Sequence, residues 1–203
     1  ASCVAPDGNI YFLINYLYGN TNGRLMHVRK DWLDALNLKV PDTAQEWYDV
    51  LLAVKQSDVN GTGEDDIIPL DAMYLPYFQS AFNMVCAETK YWYDADGKIY
   101  FFAMNDHYKD YLAYCNKLYS SNLLDPMYGA GSSTIDTLKA QNKVFANWGF
   151  AAISAENDAL CAAAGFTADW TQVIAPRSED GSRACYVYST ARGTGRYGMT
   201  RDC

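Results

Sequence analysis

The 203-residue chain carries 24 Asp and Glu against 16 Lys and Arg, a formal net charge of −8, and half of its residues are apolar. Phosphate backbones are held by clustered Lys and Arg, so this balance argues against nucleic acid as a partner. The longest apolar run, 144–155, is short and broken by Asn147 and Gly149, too little to cross a bilayer.

Seventeen tyrosines offer rings to pack and hydroxyls to bond, which suits surfaces that meet sugars or peptides and equally suits the rim of a core. No signal peptide is visible, although Ala1-Ser2-Cys3 matches the end of a lipoprotein signal without its apolar segment. The six cysteines (3, 86, 115, 161, 185 and 203) lack any CxxC spacing, which speaks against zinc or thioredoxin chemistry. Sequence cannot choose among their pairings. Cys3 with Cys203 is one hypothesis, while Cys115 and Cys161 fall in helical patterns that suit buried free thiols.

In chain order, residues 9–18 read as a strand launched by Asp7-Gly8 and ended by the Gly/Asn run 19–23. Residues 24–29 read as a second strand, and 30–38 as a helix with Trp32, Leu33 and Leu36 on one side, closed by Pro41. Thr43 with Glu46 three residues on is a capping-box pattern, and Trp47, Val50, Leu51 and Val54 recur at helical spacing behind it. A brief strand is expected at 67–70 and a helix over 74–85 with Pro76 in its first turn. Strands 91–93 and 98–103 around Asp94-Ala95-Asp96-Gly97 read as a hairpin. Helices follow over 107–120 and 132–143, then a strand 144–149, an Ala-rich helix 153–164, and strands 170–175 and 184–190. The Gly- and Arg-rich tail 191–201 has no periodicity. Strands alternating with helices, and no linker between them, predict a single α/β domain over 1–203 with a mostly parallel sheet flanked by helices.

The stretch Asp58–Leu70 is the most specific part of the chain. Oxygen-bearing side chains occupy its first, third, fifth and ninth places, and Gly63 the sixth, where the chain must turn sharply. A hard cation such as calcium takes about six to eight oxygens. On this spacing Asp58, Asn60, Thr62 and Asp66 would supply side-chain oxygens and Glu64 its backbone carbonyl. The twelfth place of an EF-hand holds a bidentate Glu, and here it is Pro69. The alternative is a solvated Asn/Gly turn whose side chains bond their own backbone.

The order Arg29-Lys30-Asp31-Trp32-Leu33-Asp34-Ala35-Leu36-Asn37-Leu38, then a Pro, a Thr-started helix, the DxNxxGxxD loop and Ile68-Pro69-Leu70, resembles extracellular solute-binding proteins of bacterial ABC importers. It is most similar to the branch that takes up oligosaccharides, alginate fragments among them, and holds a structural calcium. Leu123-Leu124-Asp125-Pro126 and Trp148-Gly149 also sit where that family has such elements. The resemblance implies a type II periplasmic-binding-protein-like lobe, one of two that close on a ligand, in a protein that is extracellular, anchored at the cell surface or periplasmic. Its implied partners are an oligosaccharide, a second lobe of the same receptor and a membrane permease. One departure stands out: the family has Glu after the Asp matching Asp66, whereas this chain has Ile67, so calcium would bind more weakly or draw on Asp65 and water.

Ligands of open α/β sheets bind beyond the carboxyl ends of the strands. Those ends offer Tyr16 and Trp148 to stack on a sugar ring, and Asn147, Arg192 and Arg196 to bond hydroxyls or a uronate carboxylate. The alternative for them is ordinary packing and surface ion pairing. Catalysis finds no motif: GxSxG, P-loop and HExxH are absent, and His27 and His107 lie at structural positions. The expected function is therefore solute binding rather than an enzyme's. A calcium-stabilised adhesion domain and, less favoured, a glycan-active enzyme are the other readings.

Overall fold

The computed structural model describes residues 12–18, 24–84, 91–93, 98–126, 132–150, 152–183 and 191–198. They belong to two compact units, one formed by 24–186 and a smaller one by 1–23 with 187–203. The strands and helices run β1 (Phe12–Tyr18), β2 (Arg24–Arg29), α1 (Lys30–Ala35), α2 (Ala44–Lys55), β3 (Ile68–Leu70), a 3-10 helix (Ala72–Phe82), β4 (Tyr91–Tyr93) and β5 (Ile99–Phe101). After a short 3-10 turn (Phe102–Met104) come α3 (Tyr108–Ser120), α4 (Ser132–Ala140), β6 (Val144–Phe150), α5 (Ile153–Ala163), β7 (Trp170–Val173) and β8 (Ala191–Gly198).

The larger unit is built on a four-stranded sheet in the order β3-β6-β2-β7. The expected α/β class holds, but the sheet is mixed rather than mostly parallel: β3 and β6 are parallel, while β2 runs against both β6 and β7. Side-chain patterning reports burial and not direction, so the reversed central strand left no mark in the sequence. Met26, His27, Val28 and Arg29 are all buried, as a central strand covered on both faces requires. Its neighbouring side chains point opposite ways. Met26 and Val28 join the larger apolar cluster with Trp47, Leu51, Phe78 and Leu118, whereas His27 turns to α5. Trp47 meets Phe78 edge-on at 5.4 Å between centroids. A smaller cluster gathers Ile135, Val144, Cys161 and Trp170.

Local chemistry explains most element ends. Thr43 Oγ1 accepts the Glu46 N–H (3.2 Å) and Glu46 Oε2 accepts the Thr43 N–H (3.1 Å), the capping box read from the sequence. Asn37, Asn83, Asn122 and Asn142 have φ between 53° and 59°, each just beyond a helix, where Asn tolerates the left-handed turn that stops it. That is why α1 is shorter than the 30–38 expected. The 72–82 segment is a 3-10 helix rather than an α-helix, because Pro76 in its middle lacks the N–H and obstructs the wider turn. At Gly149 a Cβ would collide with the Ile153 side chain, so glycine lets β6 and α5 approach.

Arg29 ties several of these elements together. Its guanidinium donates to both Asp31 oxygens (2.8 and 2.5 Å) and to Asn142 Oδ1 (2.7 Å), and lies 4.5 Å from the Trp32 ring centroid. Phe166 and Trp170 complete its apolar surround.

In the smaller unit β1 pairs antiparallel with β8, with a register shift between Ile14 and Asn15. The tail expected to be irregular is thus a strand over 191–198. Its glycines erase the alternating pattern, and the pairing with β1 defines it instead. β4 and β5 form the antiparallel pair expected of the hairpin, while its turn 94–97 and the expected strand 184–190 lie outside the described residues. So do Cys3, Cys86, Cys185 and Cys203; Cys115 and Cys161 are free thiols. Among the described residues no helix is long and apolar enough to cross a membrane.

Candidate functional site

Loop 58–66 leaves the C-terminus of α2 and returns to the sheet at β3. Gly61 and Gly63 both have positive φ (72° and 71°), the conformation that made the sixth-place glycine informative. Asp58 closes the turn twice: its carbonyl accepts the Gly61 N–H and its Oδ1 the Gly63 N–H, both at 2.9 Å. Asp66 Oδ1 accepts from Asn60 Nδ2 (2.8 Å) and Thr62 Oγ1 (3.0 Å), and Thr62 Oγ1 accepts the Glu64 N–H (3.3 Å). Asn60, Thr62 and Asp66 therefore meet directly. Glu64 joins them through its N–H on Thr62 Oγ1, whereas Asp58 bonds only the Gly61 and Gly63 N–H groups.

Burial opposes ionisation of the Asp66 carboxyl, yet the hydrogen bonds from Asn60, Thr62 and Lys143, with the Lys143 charge, outweigh it and hold its pKa below the ordinary value. Two lysines flank the loop. Lys143 Nζ is 3.3 Å from Asp66 Oδ2, and Lys55 Nζ is 2.7 Å from Asp65 Oδ1 and 3.1 Å from the Ile67 carbonyl. Ile67 is buried in the apolar core, and Pro69 at the twelfth place is buried too.

Among the described residues no cluster of three or more His, Cys, Asp or Glu side chains is placed to hold a metal. The loop's donors are of another kind: two carboxylates, one amide, one hydroxyl and main-chain carbonyls, all oxygens suited to a hard cation. The residues present fit calcium in that sense, provided Asn60 turns its amide to offer oxygen where it now offers nitrogen.

The strand-end residues are distributed over both units. Tyr16 lies opposite Gly193 on the β1–β8 pair, Arg192 opposite Leu17 and Arg196 opposite Ile14. Asn147 and Trp148 are consecutive on β6, opposite His27 and Met26. Asn147 is buried, and its Oδ1 accepts from Asn157 Nδ2 (3.2 Å), whose own Oδ1 accepts from Lys139 Nζ (2.8 Å). Trp148 is half-buried beside the larger cluster. Lys143 and Asn142 were not among the residues picked from sequence. They lie far along the chain from the loop, and no local pattern marks them.

His27, buried opposite Asn147, is 2.7 Å from Ser154 Oγ through Nδ1 and 3.4 Å from the Gly149 carbonyl through Nε2. Nε2 as the protonated nitrogen, with Ser154 donating to Nδ1, satisfies both contacts. Burial lowers the His27 pKa from its ordinary 6.5, against the carbonyls of Gly149 and Phe150 and with the Lys139 charge. A histidine lowered on folding takes up its proton more readily when unfolded. Its contribution is therefore intact above 6.5 and lost as the pH falls through the lower folded value. Wild-type melting temperature should fall between pH 6.5 and 5 more steeply than that of His27→Gln; parallel profiles would refute this.

No family model matches the chain. Among curated proteins it is 30% identical over 139 residues to the fructooligosaccharide ABC transporter substrate-binding protein FusA of Streptococcus pneumoniae, covering 62% of this chain and 26% of that one. It is 34% identical over 134 residues to the polygalacturonan/rhamnogalacturonan-binding protein YtcQ of Bacillus subtilis, covering 64% of this chain and 26% of that one. The lipoprotein LipO of Bacillus subtilis matches at 30% over 108 residues, 49% of this chain and 21% of that one. The chain thus spans about a quarter of the length of the curated relatives it matches.

Solved structures share its fold. The alginate-binding protein AlgQ2 without calcium ion superposes with a TM-score of 0.71 at 21% identity, covering 98% of this chain and 41% of that one. An EF-hand mutant of S. pneumoniae FusA in complex with fructo-nystose gives 0.69 at 22% identity, covering 89% and 38%. FusA, YtcQ and AlgQ2 are thus substrate- or saccharide-binding proteins, FusA that of an ABC transporter, and the α/β architecture of this chain is the periplasmic-binding-protein-like fold of the superposed structures.

Proposed function

We propose that residues 1–203 form one lobe of a receptor that binds oligosaccharide outside the membrane for uptake by an ABC importer, with calcium holding loop 58–66 in place. The observation that carries this reading is agreement between sequence and fold. The matched relatives are named for fructooligosaccharide and for polygalacturonan or rhamnogalacturonan, and the superposed neighbours for related saccharides. A binding role fits this better than an enzyme's, because the matched relatives are substrate-binding proteins. In the whole receptor, ligand would close two lobes by hinge motion and the closed form would dock on a permease. The matched lipoprotein supports a place at the cell surface.

In the loop, Asp58, Asn60, Thr62 and Asp66 would hold calcium with side-chain oxygens and Glu64 with its carbonyl. Bound there, the ion would neutralise the carboxylates and fix the path from α2 to β3. Within the larger unit Trp148 would offer a face for a sugar ring; within the smaller one Tyr16 would offer another, and Arg192 and Arg196 would pair with hydroxyls or a uronate. Asn147 would act from beneath, since its side chain is bound to Asn157.

Saturation-transfer NMR on this chain, with oligofructosides and oligogalacturonides against a peptide mixture, tests the reading. Selective transfer to saccharide, at the weak affinity of half a clamp, is expected. Transfer to peptide alone would overturn it in favour of an adhesion or interaction domain, and release of shorter saccharides in favour of an enzyme.

A further inference from the structure

One cation is built into the calcium-type loop by the fold itself. Lys143 immediately precedes β6, just after the left-handed turn at Asn142 (φ 59°), and this pair holds the loop in two places and β3 in a third. Asn142 Nδ2 donates to the Asn60 carbonyl (3.4 Å), the Lys143 carbonyl accepts the Ile68 N–H (2.7 Å), and Lys143 Nζ is 3.3 Å from Asp66 Oδ2. The ion pair is sheltered, with the Lys143 side chain 28% exposed and that of Asp66 16%. The two oxygens of Asp66 are divided. Oδ1 takes Asn60 and Thr62, two of the other expected ligands, and Oδ2 takes the ammonium.

We infer that Lys143 is an affinity-setting residue of the loop, an ammonium that holds Asp66 in place when no metal is bound and opposes the divalent ion that shares this carboxylate. The inference rests on the calcium reading above and adds a regulator to it. Two consequences follow from Coulomb's law in a sheltered site. Without metal, the ammonium offsets the negative charge of Asp66 and keeps the loop folded. With metal, a positive charge remains beside a doubly positive one, and affinity is lower than the oxygen donors alone would give. Lys55 differs, because its partner Asp65 is at most a substitute ligand and is mostly exposed.

Calorimetric calcium titration of the wild-type chain, Lys143→Met, Lys143→Arg and the exposed Lys109→Met tests it, with melting curves in EDTA on the same proteins. Lys143→Met should bind calcium at least about fivefold more tightly, a typical size for coupling between two sites. The gap should widen at low ionic strength, where charge repulsion is less screened. Lys143→Met should also melt lower than wild type in EDTA. Lys143→Arg, which keeps the charge, and Lys109→Met, which removes one elsewhere, should titrate as wild type does. Calcium affinity unchanged or weakened in folded Lys143→Met would overturn the role of Lys143 alone. Absence of calcium binding in both wild type and Lys143→Met would overturn the calcium reading and this role together. If Lys143→Met does not fold, Lys143→Gln gives the same comparison, and wild-type affinity in that variant would overturn the inference.

Discussion

Arg29→Met is expected to lower the free energy of unfolding by about 3 kcal/mol, the cost of breaking one side of a buried ion pair. Arg29 is 2% exposed, and its guanidinium meets four partners at once: both Asp31 oxygens, Asn142 Oδ1 and the face of Trp32. Methionine fills part of the space but leaves Asn142 Oδ1 without the guanidinium and the Asp31 carboxylate with only the Asp169 N–H (3.3 Å) and no opposite charge. Asp31 is 31% exposed, so water recovers some of the loss and keeps the figure at the low end. Lysine should restore little, because a single ammonium cannot reproduce the two-pronged contact or the stacking on Trp32. Replacing Asp31 as well should recover part of the stability, since the uncompensated charge is then gone. Urea midpoints measure all three variants, and a wild-type midpoint in Arg29→Met would refute the argument. The loop should loosen too, because Asn142 links Arg29 to the Asn60 carbonyl.

Asp66→Ala carries the second large effect, a loss of calcium affinity of at least about 100-fold, beyond that of removing an outer-shell partner. Asp66 is the point where Asn60, Thr62 and Lys143 converge, so its removal scatters the proposed donor set as well as deleting one proposed ligand. In EDTA the same change should cost about 1–2 kcal/mol, from three donors losing their shared acceptor. The acid response has a defined sign. Because the folded Asp66 pKa is below its ordinary 3.8, its contribution is complete above that value and disappears as the pH falls through the lower folded one. Asp66→Ala should therefore show a flatter stability profile below pH 4. Undiminished calcium affinity in the variant would remove Asp66 from the ligand set. Saccharide binding should weaken but persist, if calcium only shapes the loop.

The residues that sequence could interpret are those whose partners are near in the chain. Thr43 and Glu46 announce their capping box within four residues, and the spacing over 58–66 marks a loop in which Asn60 and Thr62 bond Asp66 while Asp58 bonds the Gly63 N–H. Strand β2 was bounded correctly because the residues before it are turn formers and α1 follows directly. Pro76 was placed in a first turn, whereas it sits inside a 3-10 helix, since propensity ranks residues without saying which hydrogen-bond spacing will form. β8 was missed because glycine carries no side-chain pattern, and its strand identity comes from β1, far away in sequence. The antiparallel setting of β2 and the approach of Lys143 to Asp66 share that cause. Both are long-range pairings, and neither strand direction nor a partner more than 70 residues distant is written in local periodicity. Asn147 shows the remaining limit: strand-end position suggested a sugar contact, while its side chain engages Asn157 and the network to Lys139.

The most direct test of the calcium-held loop is a thermal melt of the chain in EDTA, repeated with calcium added back. A ligand that binds only the folded state stabilises it in proportion to the logarithm of its concentration. A lower melting temperature is expected in EDTA, restored saturably by calcium and not restored in Asp66→Ala. Identical melts with and without calcium, together with no calcium uptake, would contradict it and reduce Asp58–Asp66 to a turn held by its own hydrogen bonds.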